Sequence, residues 1–232
     1  MKIEFCPKSM VRRLLIVVGI LLFANIAGIV FRLGFDRDRV FGLVPLFDFD
    51  TEQNIPTLFS SMILGLAAFV LYLIATGHKK RGDAHSCWLR FSAVFVFLCI
   101  DESVELHERL SKYGHKIFGS SLSFSFGWMI FYEIGLAILL FFCAKFLFQL
   151  PRKTFFRFAL SGILFLAGAI GFETISARSQ EIFGNSEPLT KAILYTCEEF
   201  LEMTGVICFI NALLIYANET FGSPSIGLGA ND

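Results

Sequence analysis

Acidic side chains interrupt four long apolar segments of this sequence, and they are the residues whose type and spacing could do chemistry. Placing a charge at the centre of a bilayer costs roughly 2.5–3.5 kcal/mol on insertion scales, so such residues mark functional sites by default. No lysine or arginine breaks the middle of any of these segments. The acids are Asp101, Glu102 and Glu105 in the third segment, Glu133 in the fourth, Glu173 in the fifth, and Glu198, Glu199 and Glu202 in the sixth.

The spacing of these acids predicts a shared carboxylate site. Two segments have the pattern acid-Glu-x-x-Glu, and residues three apart share one face of a helix. Four-helix di-iron and di-manganese proteins use one Glu from each of two helices and Glu-x-x-His from the other two. The metal ligands predicted on this plan are Glu102, Glu105, Glu133, Glu173, Glu199 and Glu202. The supporting or proton-relay groups predicted are Asp101, Glu198 and His107.

The identity of the metal follows from the ligand types. Glu105 and Glu202 stand where the di-metal plan has histidine, so the predicted ligands are all carboxylates. Carboxylates favour manganese, magnesium or calcium over zinc. The di-metal plan itself favours manganese or iron. We therefore predict a divalent metal cofactor, one ion or two, with manganese or iron preferred.

Two other interpretations of the acids stay open. The third segment could leave the membrane near Ile100, which would make its acids a solvated stretch at the interface. The acids could also be protonated and hydrogen-bonded between helices, because burial disfavours the charged form. The Asp48-x-Asp50-x-Glu52-x-Asn54 pattern is similar to the start of a calcium loop, but it lacks the required Gly and the closing Glu. We predict that these residues cap the helix that follows them.

Composition and periodicity predict the elements that would position the acids. Of the 232 residues 55% are hydrophobic and 17% charged, which is low for a soluble domain. About 20 apolar residues span the hydrocarbon core. We predict an all-α polytopic membrane protein, one domain over 1–232, with six transmembrane helices in one bundle. Their approximate ranges are 11–31, 56–76, 88–107, 124–148, 155–177 and 188–217, and the tail 221–232 is predicted to be disordered.

The basic residues predict the orientation. Dense clusters at Lys79–Arg81 and at Arg152–Lys153 are typical of cytoplasmic loops. We predict a multi-pass protein of the bacterial inner membrane with both termini in the cytoplasm, which places the acids in the outer half of the bilayer. Basic and acidic residues cancel, so no overall field attracts nucleic acid. The predicted partner is the lipid bilayer, and a homo-oligomer stays open.

Three stretches carry a resemblance to a known group of proteins: DTEQNIPTLFSS from Asp50, DESVELHE from Asp101 and EEFLEMTG from Glu198. At these residues the chain resembles a family of small, functionally uncharacterised bacterial polytopic inner-membrane proteins. The resemblance implies an inner-membrane protein and implies no activity.

The sequence therefore predicts a membrane protein with a buried, metal-binding acidic site, serving metal-assisted hydrolysis or redox chemistry on a membrane or periplasmic substrate. The alternative is a proton- or cation-coupled transporter that uses the same carboxylates. A third candidate is a non-catalytic membrane partner of another protein.

Overall fold

The computed structural model describes residues 2–4, 7–106, 126–183, 188–222 and 225–227. Its helices, in chain order, are α1 (Pro7–Phe35), α2 (Leu43–Leu46), α3 (Ile55–Lys80), α4 (Ser86–Val104), α5 (Phe126–Gln149), α6 (Arg152–Leu166), α7 (Glu173–Phe183) and α8 (Pro188–Phe221). A π-helical segment, Ala167–Phe172, joins α6 to α7. All six apolar segments thus form helices close to their predicted bounds.

Length and composition make several of these helices able to cross a membrane. In the described residues five spans qualify: Lys8–Phe35, Ile55–Lys80, Ile130–Gln149, Arg152–Ser176 and Pro188–Phe221. The 19-residue helix α4 is of similar length, but it carries Arg90, Asp101 and Glu102. The protein is therefore an α-helical bundle of membrane-spanning character.

Small residues let α3 and α4 pack closely. The hydroxyl oxygen of Ser61 lies 3.0 Å from the carbonyl oxygen of Cys99 and 2.6 Å from the hydroxyl oxygen of Ser103. Nearer the other end of this contact, the Ser92 hydroxyl donates to the carbonyl of Ala68 at 2.9 Å. These bonds satisfy buried hydroxyl groups without water and fix the register of the two helices.

Helix α8 lies at the centre of the bundle and contacts α1, α3 and α6. One apolar cluster joins α8 to α1 and α3 through buried residues such as Val18, Ile63 and Ile207. A second cluster surrounds Trp88 and Leu213. Helix α5 is different, because almost none of its span is buried and it contacts the rest of the described bundle sparsely.

The two ends of the chain meet at one end of the bundle. Strand β1 (Lys2–Glu4) pairs in antiparallel fashion with strand β2 (Ser225–Gly227), and Ile3 lies opposite Ile226. The second strand lies within the tail for which composition predicts disorder. We call this the termini end of the bundle, and the opposite end, where residues 36–54 connect α1 to α3, the first-loop end.

Candidate functional site: an acid-lined cavity

The first loop is anchored to the bundle by polar side chains of α1. Asn25 is 1% exposed, its amide nitrogen donates to the Thr196 hydroxyl at 2.9 Å, and its oxygen accepts from the Phe49 backbone at 3.0 Å. Two turns further along α1, Arg32 donates to Asp48 at 2.8 Å and to the Tyr195 hydroxyl at 3.1 Å. The loop is therefore held against α1 and α8 at the first-loop end.

The acids of this loop have local roles. Asp48 is 4% exposed and paired with Arg32, while Asp50 accepts from Lys191 at 2.7 Å. Asn54 caps α3, where its side-chain oxygen accepts from the Thr57 backbone at 3.1 Å. The predicted helix-capping role is therefore confirmed at Asn54, and two of the three acids before it pair with basic side chains.

Helix α4 ends among the acids of the predicted site. Asp101 is buried and lies beside Tyr132 of α5. Glu105 closes the helix with a left-handed backbone, at φ 56°, and its carboxylate accepts from the Gln53 side chain at 2.6 Å. The end of α4 is thus tied to the first loop, and it carries Glu102 between these two contacts.

The acids of α8 meet the acid of α7. The carboxyl groups of Glu198 and Glu173 hydrogen-bond each other, and Glu198 also faces Glu199. The groups within electrostatic reach of the Glu202 carboxyl group are Glu199, Glu102, Glu198 and Glu173. Three helices therefore bring their carboxyl groups to one region.

A close backbone contact produces this meeting. A Cβ atom on Gly168, in the π-helical segment, would lie 2.7 Å from the Glu198 carbonyl oxygen and 2.8 Å from Glu202 Cγ. A Cβ atom on Gly205 would lie 2.6 Å from the Phe165 backbone nitrogen. Only glycine permits this approach of α6 and the π-helical segment to α8. The π-helical turn comes directly before Glu173, and such turns are frequent at functional sites.

These carboxyl groups line a cavity of about 1400 Å³. It extends from the first loop, at Asp50 and Glu52, to Trp88 and Leu147 towards the termini end. Its acidic lining residues are Asp50, Glu52, Asp101, Glu102, Glu105, Glu173, Glu198, Glu199 and Glu202. Among the described lining residues a single lysine, Lys191, opposes them, and it is already paired with Asp50. The cavity is therefore strongly acidic at one end.

Most of the predicted site residues meet here. The predicted ligands Glu102, Glu105, Glu173, Glu199 and Glu202, and the predicted supporting groups Asp101 and Glu198, all line the cavity. His107 lies outside the described residues.

The position of Glu133 contradicts the prediction that all the acids converge. Its side chain is exposed and does not line the cavity. Seven described residues of α5 line it: Phe131, Tyr132, Gly135, Leu136, Leu139, Leu140 and Leu147. The exposed side chain of Glu133 lies beside this group, about 100° around the helix from Tyr132. Tyr132 takes the place in the cavity that the sequence assigned to Glu133.

The polar lining residues that the sequence reasoning missed include Lys191, Tyr195 and Tyr132. Lys191 and Tyr195 precede the α8 acids by one or two turns on a compatible face, so helical spacing could have identified them. Tyr132 carried no such signal, because apolar residues surround α5 on all sides and its sequence does not show which side faces the bundle.

The carboxylates do not form a ready-made metal centre. Within the described ranges no three or more His, Cys, Asp or Glu side chains are placed so that they could hold a metal ion together. An ion would have to draw the Glu side chains towards one point by rotation about their side-chain bonds.

Comparison with known proteins gives one match. The family described as "Domain of unknown function (DUF8692)" matches residues 13–217. No curated protein and no solved structure matches the chain.

Proposed function

The chain belongs to the DUF8692 family, a domain of unknown function, and from its own geometry we propose that it is a membrane protein that binds a divalent cation at the acid-lined cavity. The cation would serve metal-assisted hydrolysis or redox chemistry on a substrate that enters from the membrane or from its outer side. The lipid bilayer is the partner that this function requires, and nucleic acid has no part in it.

One observation carries the proposal: acids from α4, α7 and α8 meet in a cavity whose described lining offers them almost no positive charge. The contact between the carboxyl groups of Glu198 and Glu173 is one example of such crowding of acids. Two neighbouring carboxyl groups are stabilised by a shared proton or a shared cation, because two adjacent negative charges in a medium of low dielectric constant repel strongly.

The ligands proposed for the ion are Glu102, Glu173, Glu199 and Glu202, with Glu105 at the rim and Asp101 and Glu198 supporting them. An all-oxygen set suits manganese, magnesium or calcium, and iron in its reduced state is a further candidate. The ion would polarise a substrate oxygen or activate a bound water molecule.

We propose six membrane crossings. They are the five spans that qualify by length and composition, and α4 in addition to these five. The pairing of β1 with β2 places both termini at the same end of the bundle, which an even number of crossings requires. The acids of α4 would then face the cavity and not lipid. Lys79–Arg81 and Arg152–Lys153 lie at the termini end, so the positive-inside tendency supports termini in the cytoplasm of a bacterial cell.

This topology predicts opposite labelling of two exposed positions. In a variant whose native cysteines are replaced by serine, Arg37→Cys should react with a membrane-impermeant maleimide from outside the cell. Lys80→Cys should react with the same reagent only after the membrane has been permeabilised. Labelling of both positions from the same side would contradict six crossings.

Proton- or cation-coupled transport is the second candidate, and the length of the cavity favours it. The cavity extends along most of the bundle, from the first loop to Trp88. Acids that share a proton at one end of such a path could load and release it. Purified protein in liposomes would then move protons or the ion across the membrane, which a pH-sensitive or ion-sensitive dye inside the vesicles would report.

The metal proposal is tested by the melting of the wild-type protein in detergent. A ligand that binds only the folded state at a hundred times its Kd stabilises it by about 2.7 kcal/mol. For a chain of this size that corresponds to a rise in Tm of about 5–11 °C. We expect this rise with manganese, iron or magnesium, and its reversal by a chelator. A melting curve that none of these, nor calcium or zinc, changes would contradict the proposal.

A further inference from the structure

The acid-lined cavity has a long apolar section that the proposed metal chemistry leaves unexplained. Below the acids its walls are formed mainly by α4, α5 and α6, with lining residues such as Phe91, Leu136, Leu139, Phe158 and Ile163, and residues of α3 and α8 complete them. The section from Asp101 to Trp88 covers 13 helical steps, or about 20 Å. An empty apolar space of this size would be unusual in a protein interior, because interiors pack densely.

The dimensions match one hydrocarbon chain of a membrane lipid. A bilayer core of about 30 Å gives each leaflet about 15 Å, so a chain that begins at the acids would fit within this section. Two glycines that line it, Gly135 and Gly162, have nothing within 4 Å of an added Cβ atom. The walls therefore leave open space where a chain would lie.

Helix α5 offers the route of entry. It forms one wall of the cavity, its backbone approaches α4 at few positions, and most of its span is exposed, although Trp88 packs against Phe146 near the termini end. A wall whose backbone makes few contacts with the rest of the described bundle can move aside more easily than the central helices. A lipid could then enter sideways from the membrane without crossing the polar first loop.

Charge selects the headgroup. The carboxylates of the cavity outnumber its positive charges even after two divalent ions are added to Lys191. A headgroup with net negative charge would be repelled, whereas a protonated amine would be attracted.

We propose that the cavity binds a membrane lipid with an amine-bearing headgroup, which lies among the carboxylates while one hydrocarbon chain occupies the section between α4, α5 and α6. This inference rests on the proposed function in one respect, that the cavity lies within the membrane. It names the substrate class on which the metal site would act.

The test is native mass spectrometry of the purified protein after incubation with lipids of identical chains. Wild-type protein should retain phosphatidylethanolamine in preference to phosphatidylglycerol. Gly162→Leu and Gly135→Leu place a side chain in the apolar section and should lose most of the bound lipid. Gly19→Leu is the matched control, because Gly19 also has open space around it but does not line the cavity.

The outcomes separate this inference from the metal site. Equal retention of the two lipids, no retention of either, or retention by both cavity variants as in wild type would overturn the inference. The metal content of the same samples is measured in parallel. Protein that holds metal without lipid preference overturns the lipid inference alone, and protein that keeps the amine lipid without metal overturns the metal site alone.

Discussion

Replacing both Glu199 and Glu202 by glutamine is expected to abolish the stabilisation by metal while leaving the protein folded and inserted in the membrane. Glutamine keeps the volume and the hydrogen-bonding capacity of glutamate but removes the charge that an ion needs. The rise in Tm of about 5–11 °C expected for wild type at a hundred times Kd should fall to near zero in the double variant.

Glu133→Gln is the matched control for this experiment. It makes the same chemical change in an apolar helix, but its side chain is exposed and lies outside the cavity. We expect it to melt with a metal response equal to that of wild type. A double variant that keeps the full response would place the ion elsewhere. A loss of response in Glu133→Gln as large as in the double variant would show that the effect is not specific to the cavity.

Alanine at Gly205 or Gly168 is expected to lower the Tm by about 2–12 °C. The added methyl group would overlap backbone atoms of Phe165 in one case and of Glu198 in the other. Overpacking of this kind costs typically 1–3 kcal/mol, and 1 kcal/mol shifts the Tm of a chain of this size by about 2–4 °C. Both contacts hold α8 against α6 and the π-helical segment, and Glu173 follows directly after that segment. These variants should therefore also weaken the metal response.

Gly19→Ala is the control for the glycine variants. Gly19 lies in α1, where an added Cβ atom has nothing within 4 Å, and it does not line the cavity, so this change reports only the intrinsic effect of alanine in the helix. Thermal unfolding of the three variants in the same detergent gives the comparison. If Gly205→Ala melted at the temperature of Gly19→Ala, the close approach of α6 and α8 would not exist in the protein.

The sequence was sufficient to predict the helices and most of the cavity acids. Apolar length determines where a membrane helix can form, and the ranges for α3 and α5 came within a few residues of Ile55–Lys80 and Phe126–Gln149. The spacing of Glu198, Glu199 and Glu202 correctly indicated a face directed into the bundle, because charge is excluded from lipid.

The direction in which the α5 side chains point and the close contacts between helices were harder to predict. Lipid and the apolar section of the cavity favour the same side chains, so the sequence of α5 did not show that Tyr132 and not Glu133 points inward. The π-helical turn at Ala167–Phe172 has no distinctive composition. The turn lies where Gly168 contacts Glu198 of α8, a residue thirty positions further along the chain.

The central claim is that the carboxylates hold a metal ion, and the metal content of protein purified without chelator tests it most directly. Elemental analysis of wild-type protein should find at least one divalent metal ion for each chain, with manganese or iron the expected metals. The Glu199→Gln/Glu202→Gln variant should lose this metal, and Glu133→Gln should keep it. Wild-type protein that stays free of metal after dialysis against manganese, iron, magnesium and calcium would contradict the claim.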